Sequence, residues 1–304
     1  MRRRIELRSP FKVTVYDYRT SWLEVDVDRE ELVELLLELT LLLYERSERL
    51  RMASRSTSNK VVLTARFNAI PGRDLSEVSA GFQSIALMRN DLEFFVAFLL
   101  EYYRDGFAPV DHIDIDLRGE DDSDLGLIVT VTDVGPPMRS GETHRILFEE
   151  DGRIPEPPLI GRRIELSSPL EVAVYEKRDA WMEVEVPKDE LVPLLLELML
   201  LLYERCDTLM LGSRSTSNAL VLSAVAGRVG SRVSADLRSI SLSRTDLERS
   251  IVFLLDYYRD GVAPAHHIDL ELGTEHYDHV DLIFRAADFR PPMSEDATRL
   301  LRDR

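Results

Sequence analysis

The chain has 304 residues, 38 Lys plus Arg against 55 Asp plus Glu, a formal charge of −17 and 44% hydrophobic residues. That is too apolar for disorder and about twice the commonest domain size, so two domains are expected. An acid surplus this large argues against general nucleic-acid binding, whose affinity comes mainly from neutralising phosphates, and suits a protein whose partner is basic.

Taken in chain order, Arg2, Arg3 and Arg4 begin the sequence as a signal peptide would, but Ile5 to Lys12 are charged and alternating, with no apolar h-region. Lys12 to Tyr18 and Trp22 to Val27 alternate apolar and polar residues around Arg19-Thr20-Ser21, as a hairpin would. Arg29 to Leu50 reads as one long helix with Glu31, Glu34, Glu38 and Glu45 on a narrow stripe and Leu over most of the rest, a helix buried on more than one side. Strands are expected near Val61 to Phe67 and Val78 to Leu87, followed by a second helix starting at Asn90 to Glu93 and ending at Gly106, with Pro109 beyond. His112 to Leu117 and Leu127 to Asp133 read as a further strand pair, followed by Pro136-Pro137 and a short helical tail.

The same series is then written again. Arg4-Ile5-Glu6-Leu7 returns as Arg163-Ile164-Glu165-Leu166, Trp22 as Trp181 and Leu41 to Arg46 as Leu200 to Arg205, all at an offset of 159. Ser54-Arg55-Ser56-Thr57-Ser58-Asn59 returns unchanged as Ser213 to Asn218. The offset then falls to 155, matching Tyr102 to Gly106 with Tyr257 to Gly261 and His112-Ile113-Asp114 with His267-Ile268-Asp269. Thr245-Asp246-Leu247-Glu248 matches a capping box for the second helix of this copy. Two copies make a tandem duplication and not a solenoid. The expected domains are residues 1–150 and 162–304, joined by a Pro-rich linker over 151–161. Each is expected to be an α+β two-layer sandwich with a mainly antiparallel sheet and two main helices.

Period-two alternation places His112, Asp114 and Asp116 on one strand face, opposite Ile113, Ile115 and Leu117. Trp22, Glu24 and Asp26 alternate in the same way with Leu23, Val25 and Val27. The second copy repeats both stripes as His267, Asp269, Glu271 and Trp181, Glu183, Glu185. If helices cover the apolar faces, each domain presents an acidic open sheet face bearing a Trp and a His, either a solvated face or a partner-binding surface. Ligands at alternate positions of one straight strand do not converge, and His276 and His279 flank Asp278 in a charged turn, so no metal is assigned. The repeated Ser-Arg-Ser-Thr-Ser-Asn turns offer a candidate anion site at Arg55, Ser56, Thr57, Arg214, Ser215 and Thr216. The competing reading is a turn bonding its own backbone.

No nucleophile elbow, P-loop, dinucleotide fingerprint, C-x-x-C or H-E-x-x-H occurs, so no catalytic residue or cofactor is assigned. The single Cys206, aligned with Ser47 late in the long helix, excludes an intrachain disulfide and reads as an inert helix residue. Tyr102-Tyr103 and Tyr257-Tyr258 read as core edge. The apolar stretch Leu32 to Tyr44 contains Glu34 and Glu38 and is too short to span a bilayer. A cytoplasmic protein is expected, and 34 arginines against 4 lysines point to a high-GC bacterium. Both copies are acidic, −9 over residues 1–150 and −8 over the remainder. Three functions follow. The first is a non-catalytic module that binds and neutralises a basic protein in the manner of an inhibitor or immunity protein. The second is a ligand-binding or enzymatic pair forming an intrachain pseudo-dimer, and the third a structural subunit of a bacterial assembly.

Overall fold

The computed structural model describes residues 4–15, 20–67, 75–106, 110, 112–119, 124–132, 161–175, 179–225, 227, 229–261 and 265–287. The chain divides into two compact units, Met1–Pro155 and Glu156–Arg304. The Pro-rich stretch, the Pro-Pro motifs and the expected helical tail lie outside the described residues. The protein is of the mixed α and β class, with four helices among those residues.

In the first unit, β1 (Arg4–Leu7), β2 (Phe11–Val15) and β3 (Thr20–Asp28) lead into α1 (Arg29–Leu43). The strands β4 (Leu50–Ser54), β5 (Lys60–Arg66), β6 (Ser76–Val78) and β7 (Ser84–Met88) then precede α2 (Arg89–Asp105), with β8 (His112–Arg118) and β9 (Asp124–Thr132) last. One nine-stranded sheet holds them in the order β1-β4-β5-β7-β6-β8-β9-β3-β2. The expected strand near Val78 to Leu87 is two strands, β6 and β7, separated by a short 3₁₀ turn at Ala80–Phe82.

The expectation of a mainly antiparallel sheet is corrected. The local pairs β2–β3, β4–β5, β6–β7 and β8–β9 are antiparallel, but they are set beside one another and beside β1 by the parallel pairs β1–β4, β5–β7, β6–β8 and β3–β9. A hairpin follows from local turns, whereas the side-by-side placement of hairpins follows from burial of a shared apolar face.

The sheet must also curl. β1 and β2 stand at its opposite ends, yet only residues 8–10 join them. Four Cα steps reach at most about 14 Å, whereas nine flat strands would spread over roughly 38 Å. The concave side takes the helices: α1 packs against α2 and against β1, β3, β4, β5 and β9, and α2 against β5, β7 and β8. This explains why Leu35, Leu36, Leu39, Leu41 and Leu42 are all buried although they point around the whole helix. Of the expected acidic stripe, Glu34 is exposed on α1, Glu31 and Glu38 are buried, and Glu45, also exposed, lies past the end of the helix.

The second unit contains β10 (Arg162–Leu166), β11 (Leu170–Tyr175), β12 (Asp179–Val186), α3 (Leu191–Leu202), β13 (Thr208–Ser213) and β14 (Ala219–Ala224). It continues with β15 (Arg232–Val233), β16 (Ser239–Leu242), α4 (Arg244–Asp260), β17 (His267–Glu271) and β18 (His279–Ala286). Its strands form two sheets, β10-β13-β14-β16-β15 and β11-β12-β18-β17. Laid end to end through β15 and β17, they follow the order of the first unit, and a single parallel bridge, Arg232↔Gly273, spans the break.

Helix ends depart from expectation for physical reasons. α1 stops at Leu43, with Arg46 N donating to Leu41 O (2.8 Å) and Glu45 N to Leu42 O (3.2 Å), a Schellman motif whose left-handed residue is Glu45 at φ 57°. Glu204 repeats this at φ 55°. No glycine marks either end, so nothing in the residue types interrupts the periodic Leu pattern. The N-cap of α4 is Ser243, two residues before the expected Thr245, with Asp246 N donating to Ser243 Oγ (3.1 Å) while Ser243 N donates to Ser231 Oγ (2.8 Å). In α2 the matching residue is Met88, which brings no side-chain cap; its N–H donates to Ser76 Oγ (2.7 Å), which donates to Asp91 Oδ2 (2.5 Å), as Ser231 does between Ser243 N and Asp246 in the second unit. Gly106 and Gly261 end α2 and α4 in the left-handed region, as expected.

Candidate functional site

The two acidic stripes of the first unit lie on one face of the β8-β9-β3-β2 portion of the sheet. The register aligns His112 with Thr130 and Asp26, then Asp114 with Ile128, Glu24 and Lys12, then Asp116 with Gly126, Trp22 and Thr14. The alternate residues Ile113, Ile115, Leu117, Leu23, Val25, Val27, Leu127, Val129 and Val131 are buried beneath. β9 separates the stripes, so carboxylates of β8 and β3 stand two strand spacings apart, roughly 10 Å. That spacing spreads the charge over a broad field and does not gather ligands around one ion. Among the described residues no group of three His, Cys, Asp or Glu side chains is placed to hold a metal.

The second unit aligns His267 with Arg285 and Glu185, Asp269 with Ile283, Glu183 and Glu171, and Glu271 with Asp281, Trp181 and Ala173. Here the middle strand is charged. Arg285 pairs with Glu183 (2.8 Å), and Asp281 is hydrogen-bonded to His279 (2.8 Å), which lies 3.9 Å from Glu271. In the first unit the aligned middle-strand residues Gly126, Ile128 and Thr130 are neutral, Thr14 Oγ1 donates to Glu24 (2.9 Å), and Lys12 lies 3.7 Å from Asp26. His112 and His267 approach the carboxylates two residues along their own strands, at 3.7 and 3.5 Å.

Trp22 lies across Gly126: a Cβ on that glycine would stand 2.1 Å from two indole carbons. The absent side chain therefore lets the ring lie flat on the sheet, half-exposed beside Asp116. Sequence reasoning missed Gly126, Ile128, Asp281 and Arg285, because the pairings β3–β9 and β12–β18 that bring them in join distant segments, and it missed Lys12, which the local β2–β3 hairpin sets opposite Glu24, because the stripes were read on the acidic strands alone. The stripes themselves were visible as alternation.

The repeated Ser-Arg-Ser-Thr-Ser-Asn turns occupy the seam between the sheet's two edges. Ser54 Oγ donates to Ser9 O (2.8 Å) and accepts from Ser56 N and Thr57 N (both 3.1 Å). Arg55 N donates to Leu7 O (2.7 Å) and Asn59 Nδ2 to Phe11 O (2.9 Å). Ser213, Arg214 and Asn218 repeat these bonds to Ser168, Leu166 and Leu170 at 2.8 Å each. Glu31 holds the same link from the helix side by accepting from Arg8 N (2.8 Å), as Glu190 does from Ser167 N (3.0 Å). Of the anion-site candidates, Arg55, Ser56, Arg214, Ser215 and Thr216 are exposed and Thr57 is half-buried. Arg214 Nη2 donates to Glu165 O (2.9 Å), and Thr216 Oγ1 donates to Leu170 O (3.0 Å).

Tyr102 and Tyr257 serve the core edge. Each stacks edge-on against the Phe one turn earlier and donates its hydroxyl to a carbonyl, Val110 O (3.0 Å) or Ala265 O (2.8 Å). Burial raises the Tyr257 phenol above its ordinary pKa of 10.0. Cys206 is buried, and it lies past the end of α3 rather than within it, for the reason that the helix stops at Leu202.

No protein-family model matches this chain. No curated protein is detectably similar to it. Among the described residues no helix is long and apolar enough to cross a membrane.

Proposed function

We propose that the chain is a tandem duplication of one two-layer unit, each layer pair displaying an acidic outer sheet face, and that the two faces together bind a basic protein. The observation that carries this reading is the convergence of both stripes, His112-Asp114-Asp116 and Trp22-Glu24-Asp26, on one half-exposed face, with the same register in the second unit. The face suits an inhibitor or immunity-type protein of a bacterial cytoplasm: a broad acidic field accelerates encounter with a cation-rich surface, and Trp22 supplies a large rigid contact. Two linked faces add avidity where both engage. Common descent of the units is supported by the shared strand order and by identical seam bonds, and the helices on the concave side with the sheet outside make the two layers.

The test uses the full chain as bait for proteins of a native-host lysate, beside a variant carrying Asp114→Asn, Asp116→Asn, Asp269→Asn and Glu271→Gln. Retention of a basic protein by the wild type alone, lost when salt shortens the screening length from about 10 Å toward 3 Å, is the expected result. Equal retention by the variant, or a salt-insensitive complex, rejects the proposal.

A further inference from the structure

We infer that the second unit holds a binding site for a small zwitterionic carboxylate of the α-amino acid class, in the cleft where its sheet divides. In the first unit β6 and β8 pair side by side, with Glu77 opposite Arg118, and Glu77 is neutralised by Arg66 at 2.6 Å. In the second unit the matching residues are Arg232 for Glu77, Gly273 for Arg118 and Val225 for Arg66. The acid has become a base and both of its cationic neighbours have gone. Arg232 is exposed and makes no ion pair among the described residues.

The ladder is correspondingly reduced to the single bridge Arg232↔Gly273, and beyond it the chain opens a cleft of about 430 Å³. Arg232, Ser234, Gly273, Thr274, Glu275 and His276 line it. Its walls are tied in place: Val233 N donates to Gly273 O (3.1 Å), Gly273 N to Ser231 O (2.8 Å) and His276 N to Thr274 Oγ1 (3.1 Å). The Tyr277 hydroxyl reaches Ala235 O at 3.5 Å and joins the two sides. A Cβ at residue 273 would stand 3.3 Å from Ser231 O and 3.6 Å from the Arg232 stem, so a side chain longer than glycine's would fill the space beside that stem.

The chemistry of the lining selects the ligand. A guanidinium offers two parallel N–H donors to a carboxylate, and His276, which lines the same cleft, adds a nitrogen donor. Glu275 on the same rim repels a polyanion such as phosphate and provides an acceptor for an ammonium group. A molecule bearing both charges a few bonds apart satisfies Arg232 and Glu275 together. The first unit, with Glu77 and Asp121 in place of Arg232 and His276, has no counterpart, so one site per chain is expected.

The test is isothermal titration of the full chain with the common amino acids, with acetate as the carboxylate alone, ethylamine as the ammonium alone, and inorganic phosphate. The expected result is saturable binding of at least one amino acid at one site per chain, tighter than acetate. Arg232→Glu should weaken it tenfold or more, Glu275→Gln should bring it to the acetate level, and Gly273→Arg should block the cleft without reversing its charge. Unchanged circular dichroism and unfolding midpoints show that the variants are folded. Absence of saturable binding up to about 10 mM, wild-type affinity in either Arg232→Glu or Gly273→Arg, two sites per chain, or phosphate binding more tightly than any zwitterion overturns the inference. It is independent of the basic-partner reading, since the cleft uses none of the residues changed in that test except through common folding.

Discussion

Replacing Ser54 by Ala isolates what the repeated turn does. Ser54 is 8% exposed, and its hydroxyl donates to Ser9 O at 2.8 Å and accepts from Ser56 N and Thr57 N at 3.1 Å. A net hydrogen bond is worth about 1 kcal/mol, and a donor or acceptor left unsatisfied costs about 1–3 kcal/mol. The two N–H groups border exposed residues and recover water, whereas the Ser9 carbonyl loses its donor in a half-buried seam. About 2 kcal/mol of destabilisation is expected for Ser54→Ala, and the same for Ser213→Ala in the second unit. Arg55→Ala, which removes an exposed side chain and leaves its backbone bond to Leu7 intact, should stay within about 0.5 kcal/mol. Urea unfolding followed by Trp22 emission in a Trp181→Phe background reads the first unit by itself. With a slope near 2 kcal/mol per molar, the midpoint should fall by about 1 M. A shift under about 0.25 M for Ser54→Ala, with a larger one for Arg55→Ala, would refute the seam role and favour an anion held by the guanidinium.

Three further outcomes follow from single positions. Glu45→Gly and Glu204→Gly remove left-handed strain of about 1–2 kcal/mol against a glycine entropy cost of about 0.5–1 kcal/mol; each should raise stability by about 0.5–1 kcal/mol in urea unfolding, and a loss would show that the two glutamates are held by other contacts. Gly126→Ala drives a methyl group into the Trp22 ring, which must shift by about 1.5 Å to regain ordinary contact. Because the ring is half-exposed and can swing outward, the cost should be near 1 kcal/mol, or about 2–4 °C, with a changed Trp22 emission; an unaltered spectrum would contradict the stacked geometry. Burial raises the Tyr257 pKa above 10.0, so the folded state keeps a proton that the unfolded chain gives up. Its contribution is complete below about pH 10 and is lost as pH rises through the folded value, so Tyr257→Phe should flatten the fall in unfolding midpoint on the alkaline side; an identical slope in both proteins would reject the assignment.

What was legible in the sequence is what local periodicity encodes. Alternation marked the stripes on β3 and β8, and the Leu pattern of α1 announced a helix buried on several sides. Its length was misread because Glu45 takes a conformation usually given to glycine, so nothing in the residue types signals the stop. The start of α2 was illegible for a related reason: Met88 brings no capping side chain, and the hydroxyl that accepts its N–H belongs to Ser76, on another strand. The union of the two acidic stripes depended on the parallel pairing of β3 with β9, whose partners Thr20 and Asp124 are separated by most of the unit. The cleft of the second unit rests on an exchange of Glu77 for Arg232 that acquires meaning only when Gly273 is seen beside it.

The parallel pairing of β3 with β9 also fixes when the acidic face can exist. During synthesis Trp22, Glu24 and Asp26 emerge early, and Asp114 and Asp116 about ninety residues later, yet the strand that seats them side by side is the last described in the unit. A nascent or truncated chain thus carries nearly all the negative charge of the finished unit without its arrangement. A partner that reads the arrangement, and not the charge alone, would discriminate between complete and incomplete chains, making recognition itself a report on whether folding has finished.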